Sequence, residues 1–279
     1  MTDYLNQRLD YNNPQFINAF DEMPYWSARF AGLIFEHLTP RPHIRALDIG
    51  CGTGCPLFEL AQLHGPGCSF TGIDVWDAAL ARAVTRRAAY GLPHVHLLKA
   101  DASHMPFPDE HFDLLTSNLG VNNFSDPPAV LRECFRITQP GGRLILTTNI
   151  MGHMAEFYGV YRQVLSAFGQ PDDLERLAAH EAHRGTRESV TALIEGAGYS
   201  VANCIEDRFH YHFLDGSAML RHWIIRLGFL DGWRAVVDPG RETAIFTHLE
   251  AALNTYAQAH GGLTLSVPQL YLEAIRSAP

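Results

Sequence analysis

Ala46-Leu47-Asp48-Ile49-Gly50-Cys51-Gly52-Thr53-Gly54 is a short apolar run that empties into a turn with glycine at alternate positions. An amphipathic helical stretch over 56–64 follows it. Such glycines are needed where a ligand comes close to the backbone, because only a residue without Cβ leaves that space. A dinucleotide fingerprint also places a glycine-rich turn after a first strand, with its glycines at the first, third and sixth positions. Here they fall at the first, third and fifth, and Cys55 stands at the sixth. The turn is a ligand loop after strand one that is not built for a pyrophosphate.

Outward from that turn, residues 44–149 alternate strand and helix signals, the pattern of a doubly wound parallel sheet. Strands are read at 44–49, 69–74, 95–100, 112–117 and 143–148. Asp77 stands where an N-cap belongs before the alanine-rich helix 78–90, which Gly91 and Pro93 close. A helix opens after Asp126-Pro127-Pro128, and Pro140-Gly141-Gly142 reads as the turn before strand five. Residues 14–38 carry a helical pattern rich in aromatics. Helices are expected at 153–168, 172–183 and 187–197, a strand at 199–206, a broken helical stretch over 215–260 and a last strand at 268–275.

The chain has 279 residues, which favours one core with elaborations, and its composition is that of an ordinary globular protein. Its net charge of −9 argues against phosphate-driven nucleic-acid binding. Arg82, Arg86 and Arg87 read as a solvated helix face. The N-terminal residues show no apolar signal segment, and no run approaches the ~20 apolar residues that span a bilayer. Five scattered cysteines without CxxC spacing favour reduced thiols and a cytoplasmic location over a disulfide framework or a zinc site. No metal is expected.

Open α/β sheets bind ligands at the carboxyl ends of their strands, and three polar positions collect there. Asp74 ends strand two, where a carboxylate can accept from both hydroxyls of a vicinal diol. Asp101 ends strand three, and Asn118 with Leu119 ends strand four. The glycine turn, the run Asp101-Ala102-Ser103-His104-Met105-Pro106-Phe107-Pro108-Asp109 and Gln139-Pro140-Gly141-Gly142 follow one another in an order that resembles the class I S-adenosylmethionine (SAM) methyltransferases. The resemblance is to the subfamily that includes ubiquinone/menaquinone C-methyltransferases, and it covers about residues 40–150. It implies a mostly parallel seven-stranded Rossmann-like sheet with its last strand antiparallel, SAM as cofactor and S-adenosylhomocysteine as product. By that resemblance Asp48, Gly50, Cys51, Gly52 and Gly54 form the cofactor turn, Asp74 and Val75 take the ribose, Asp101 and Ala102 take the adenine, and Asn118 and Leu119 help hold the methionine end.

No Asp/Asn/Ser-Pro-Pro-Tyr/Phe signature follows strand four, so an amine-gripping, base-methylating site is not expected. The reading is methyl transfer to a small organic acceptor by in-line displacement, in a monomer or homodimer that neither binds nucleic acid nor inserts in a membrane. The alternatives are a SAM- or nucleoside-binding module without catalysis, and a metalloid methyltransferase that would recruit thiolates. A general base is needed only if the acceptor must lose a proton, and the candidates are His153, His210 and His212. Tyr25, Trp26, Phe157, Tyr158, Tyr161 and Trp223 are candidates for an apolar acceptor pocket. Residues 1–39, 151–185 and 215–260 are expected to form a helical cap over the cofactor-binding core.

Overall fold

The computed structural model describes residues 3–6, 9–22 and 25–277. Five strands and their crossover helices follow the order read from the sequence: β1 (Arg45–Ile49), β2 (Ser69–Asp74), β3 (Val95–Lys99), β4 (Phe112–Asn118) and β5 (Thr138–Asn149). Two helices precede them, α1 (Pro14–Asp21) and α2 (Tyr25–His37), and α3 (Leu57–His64), α4 (Asp77–Tyr90) and α5 (Pro127–Ile137) connect them. After β5 come α6 (Ala155–Phe168), α7 (Pro171–Ala182), α8 (Arg187–Gly196) and β6 (Tyr199–Phe213). The chain closes with α9 (Gly216–Arg221), α10 (Trp223–Gly228), α11 (Leu230–Arg234), α12 (Glu242–His260) and β7 (Leu263–Arg276). The seven strands form one sheet in the order β3-β2-β1-β4-β5-β7-β6, with β7 antiparallel.

The strands nearest the glycine turn pair in parallel, with Asp48 opposite Gly72 on β2 and Thr116 on β4. Their inward side chains are apolar on both faces, as a sheet covered by helices on both sides requires. Ala46, Leu57, Phe58, Phe70, Val95 and Leu114 belong to this core and are all but inaccessible.

Several local features depart from the sequence reading. The Pro140-Gly141-Gly142 segment lies within β5, where Phe112 pairs with Thr138 and Leu114 with Arg143, so residues 139–142 loop out of the ladder. Asp77 does not cap α4, because the N-cap is Trp76 and the Asp77 carboxylate instead meets Lys99 at 2.5 Å. The face of Arg82, Arg86 and Arg87 is not simply solvated. Asp21 at the end of α1 accepts from Arg82 at 2.9 Å and Arg86 at 2.5 Å, and Arg87 donates to the Val95 carbonyl at 3.2 Å. β6 runs seven residues past its expected end at Glu206, because Phe209 and Tyr211 are buried while His210 and His212 are exposed, the alternation of a strand.

The chain divides into two compact units. A sheet unit holds Asp10–Thr148, Thr186–Glu206 and Gln269–Pro279, and a helical unit holds Met1–Leu9, Asn149–Gly185 and Asp207–Pro268. Helices α1 and α2, expected in a cap, fall within the sheet unit. The helical unit has its own core: Phe157 stacks on Trp233 with ring centroids 3.9 Å apart, and the Tyr161 hydroxyl donates to the Trp233 carbonyl at 2.9 Å. No helix among the described residues is long and apolar enough to cross a membrane.

Gly142 tests the β5 loop-out. A Cβ there would stand 2.6 Å from Thr138 Cγ2 and 2.8 Å from the Gln139 carbonyl oxygen. Gly142→Ala is expected to cost roughly 1–3 kcal/mol, the scale of overpacking a tight site. Equilibrium denaturation checks it, and a variant as stable as the wild type would show that the loop is not closed on itself.

Candidate functional site

The turn after β1 is shaped by three glycines with φ of +74°, +53° and +106° at Gly50, Gly52 and Gly54, a region that side chains rarely enter. Its backbone is tied down from β2. The Ile73 carbonyl accepts from the N–H groups of Gly50 at 2.9 Å and Cys51 at 3.0 Å, and Asp74 Oδ2 accepts from the Gly52 N–H at 2.8 Å. The other carboxylate oxygen of Asp74 accepts from the Trp76 N–H at 2.8 Å. Each oxygen keeps a further lone pair for a ligand.

A cavity of about 510 Å³ opens where these strand ends meet. Gly50, Asp74, Val75, Asp101, Ala102, Asn118 and Leu119 all line it, seven of the eleven positions assigned to the cofactor from sequence. The other four lie behind or beside it. Cys51 and Asp48 are buried, and Gly52 and Gly54 shape the turn. A Cβ at Gly50 would meet no protein atom, so the space in front of it is open. Asp101 is exposed and accepts from the Ser103 N–H and hydroxyl on one oxygen, both at 2.8 Å, which leaves the second oxygen to a ligand. Those bonds hold its carboxyl below the usual range.

Strain marks the fourth strand end. Leu119 has φ of +67°, and its N–H donates to the Thr147 carbonyl at 2.8 Å. Asn118 is fixed from two sides, accepting from the Thr147 hydroxyl at 2.7 Å and donating to the Ser27 carbonyl on α2 at 3.1 Å.

Sequence reasoning missed Trp76, Asn123 and Phe124, which also line the cavity. It also missed Arg86, which donates to the Thr53 carbonyl at 3.1 Å while paired with Asp21. Only the length of the β4–α5 connection hinted at Asn123 and Phe124, and no local signal pointed to Trp76 or Arg86. A larger groove of about 680 Å³ runs between α1 and α4, but it is lined by Ile17, Ala78, Ala81 and an Arg82 that Asp21 already neutralises.

Asp48 sits beneath the turn with 2% of its surface exposed. Thr116 donates to one oxygen at 2.7 Å, and the other is buried without a partner. Burial, reinforced by the nearby Asp74 charge, pushes its carboxyl up to about 7. Burial raises the Cys51 and Cys134 thiols and takes Cys55 up to about 11. Among the described residues no group of three His, Cys, Asp or Glu is placed to hold a metal ion.

The other predicted site residues are spread over both units. Tyr25 is exposed at the start of α2, and Trp26 beside it is buried against Phe30. In the helical unit Phe157, Tyr158 and Tyr161 are buried and Trp223 is half-buried. His153 is buried there too, with its base strength cut to about pKa 3 by burial and by Arg184 and His180. His212 is exposed and bonded to the Thr264 hydroxyl at 3.1 Å, and the equally exposed His210 lies 6.1 Å from it, ring to ring.

Residues 47–146, which carry the glycine turn, three of the five strands around it in full and most of the other two, match the methyltransferase domain family. That stretch carries a methyltransferase domain, and SAM-dependent methyltransferases are what the chain is similar to. Over 248 residues it is 26% identical to nocamycin O-methyltransferase of Saccharothrix syringae, spanning 86% of this chain and 88% of the relative. Over 130 residues it is 35% identical to demethylmenaquinone methyltransferase of Geobacillus kaustophilus, spanning 45% of this chain and 56% of that enzyme. The match thus takes in little more than half of the menaquinone enzyme's length. Among solved structures the [4+2]-cyclase SpnF shares the fold, with a TM-score of 0.55 and 22% identity over 90% of this chain and 81% of that one.

The buried carboxyl of Asp48 makes a pH test. Unfolded, Asp48 loses its proton near the ordinary value of 3.8, whereas folded it holds the proton to about 7. Between those values the folded state binds more protons, so this group's contribution to stability falls as pH rises. Asp48→Asn cannot ionise and should gain on the wild type by about 1 kcal/mol or more from pH 4 to pH 8. Denaturant unfolding across that range measures the gap, and a gap that does not change with pH would show that Asp48 is ionised in the fold.

Proposed function

We propose that this chain transfers the methyl group of SAM to a small organic acceptor, with the cofactor held in the cavity at the carboxyl ends of β1, β2 and β4. The observation that carries the reading is the pairing of two free acceptor positions. Asp74 and Asp101 present lone pairs to one cavity whose floor is the bare backbone of Gly50. That donor and acceptor set fits the cofactor's chemistry: Asp74 would take the ribose diol, Asp101 the adenine amino group, and the Ala102 backbone the ring edge. Bound there, SAM supplies an electrophilic methyl group on a sulfonium whose departure as a thioether needs no acid.

This chain's residues then have only to orient and to exclude water. The Leu119 and Asn118 backbone, fixed by Thr147 and Ser27, is placed to hold the polar end of the cofactor. His153 is neutral at physiological pH and too weak a base to take an acceptor's proton. His210 and His212 are solvent-exposed. The reaction we infer does not depend on a protein base. The acceptor is therefore one that reaches the site already nucleophilic.

The acceptor is read as an organic metabolite, in keeping with the relatives named nocamycin O-methyltransferase and demethylmenaquinone methyltransferase. We assign its pocket to the helical unit, whose aromatic content suits an apolar or planar molecule.

Asp74→Ala should weaken S-adenosylhomocysteine binding by roughly 1.5–3 kcal/mol, the scale for hydrogen bonds to a charged group. Isothermal titration calorimetry on a variant with wild-type circular dichroism tests it, and unchanged affinity would misplace the ribose. Asp101→Asn should bind better than Asp101→Ala, because the amide oxygen still accepts. Equal losses would mean that this residue does not read the base. Transfer of labelled methyl from SAM to a panel of small phenols, acids and quinols tests the activity itself. Retained S-adenosylhomocysteine binding with no transfer to any of them would favour a binding module.

A further inference from the structure

One polar cluster in the helical unit has no part in that cofactor site. His153 follows β5 in a turn that is fastened at two points. The Met151 N–H donates to the Gly185 carbonyl at 2.9 Å and the Met154 N–H to the Ser266 carbonyl at 2.6 Å. Met154 itself is held at φ of +53°, a left-handed conformation that costs a side-chain-bearing residue of order 1 kcal/mol. This fastening sets the imidazole edge-on to Tyr158 at 5.6 Å and tilted to Phe229 at 5.9 Å. Its Nε2 is buried and has no partner, and the residue is 3% exposed.

Around it stand other groups of the same character. Tyr158 receives the Trp233 indole N–H at 3.1 Å, and the His180 ring lies 6.1 Å from the Tyr158 ring. His180 is seated against Gly232, where a Cβ would come within 2.7 Å of its Cε1. Arg184 precedes the Gly185 whose carbonyl fastens the His153 turn, and it is half-buried, with its Nε buried and unbonded. No carboxylate among the described residues faces Arg184. Its titratable neighbours are Tyr158, His153 and His180, and the acid three residues before it, Glu181, is taken by Arg162 at 2.7 Å.

A guanidinium drawn partly out of water without a counter-ion is a net cost to the fold. Neutral neighbours do not repay it. His153 and His180 are both driven toward the uncharged form by burial first and by the Arg184 charge second, and burial keeps the Tyr158 phenol protonated. The cluster therefore carries one positive charge, with a planar donor fork and aromatic rings beside it. What complements such a set is an anionic oxygen group on a planar body, which the fork can hold by two parallel bonds.

We propose that Arg184, flanked by His153 and His180, is the anchor for an anionic oxygen group of the acceptor, a carboxylate or an ionised enol. The inference rests on the methyltransferase reading for the word acceptor, but the anion site stands on the geometry of the helical unit. It also agrees with a reaction that has no protein base, since an acceptor bound as an anion has already given up its proton.

The test uses the full chain with S-adenosylhomocysteine present and two matched probe pairs, 2-naphthoate with 2-naphthamide and 4-hydroxycoumarin with coumarin. Affinities are read by ligand-observed NMR titration. At least one anion should bind tenfold or more tighter than its neutral partner, and the pair that shows it tells carboxylate from enolate. Arg184→Gln should abolish that preference and Arg184→Lys should keep part of it, with S-adenosylhomocysteine affinity unchanged in both. No preference for either anion in the wild type, a measurement that needs no variant to fold, would overturn the anchor. So would a preference that survives Arg184→Gln. Failure of the wild type to bind S-adenosylhomocysteine would instead count against the cofactor reading and leave the anion comparison to be judged by itself.

Discussion

The hydrogen bond from the Gly52 N–H to the Asp74 carboxylate, 2.8 Å long, is the constraint on which the sheet unit's site is built. It joins the end of β2 to the turn at the end of β1, two strands already in register through Ile49 and Ile73. A backbone run in the left-handed region has no ladder of its own to hold it. Without a charged acceptor it would have many conformations to choose from. Asp74 narrows them to one, and the same carboxylate stays available to the cavity. Holding the turn and lining the cavity are thus two uses of one side chain.

A second brace comes from much farther along the chain. Arg86 on α4 donates to the Thr53 carbonyl in the turn and is itself held by Asp21, whose side chain is almost wholly buried at the end of α1. A surface ion pair would contribute little. This one is partly sheltered and also satisfies a backbone carbonyl, so the N-terminal helix acts on the turn through a guanidinium. Beneath the turn Asp48 does the opposite. Its protonated carboxyl avoids setting a second negative charge close to Asp74, and the Thr116 hydroxyl satisfies one of its oxygens.

What could be read from sequence was what local chemistry dictates. Alternate glycines, apolar strands of five or six residues and an acid at a strand end announce themselves within a short window, so the succession of the first five strands and the positions of Asp74 and Asp101 were legible. The Arg82 and Arg86 pairs were not, because their partner Asp21 is more than sixty residues away and only the packing of α1 on α4 brings it close. The cap of α4 was misassigned for a subtler reason. Asp77 has the residue type of an N-cap, but the carboxylate three residues earlier already holds the Trp76 N–H, and the helix starts one position sooner. β6 was cut short because two histidines on its exposed face looked like a motif, when Phe209 and Tyr211 on the buried face carried the strand onward.

The domain match points to SAM as cofactor, while the fold alone does not choose the reaction, since a [4+2]-cyclase shares it. The helical unit offers few free groups of its own. Its predicted base is disarmed by burial, its predicted pocket residues Phe157 and Tyr161 are spent on its own core, and its histidines on β6 face outward. What is left over is positive charge. Arg184 is half-buried beside two neutral imidazoles and a neutral phenol, and the backbone around it is fastened through Gly185 and a strained Met154. A fold pays for such an arrangement in stability, and hydrophobic side chains of the same volume would have packed there at less cost. An uncompensated cation is tolerated most readily where a ligand supplies the missing charge.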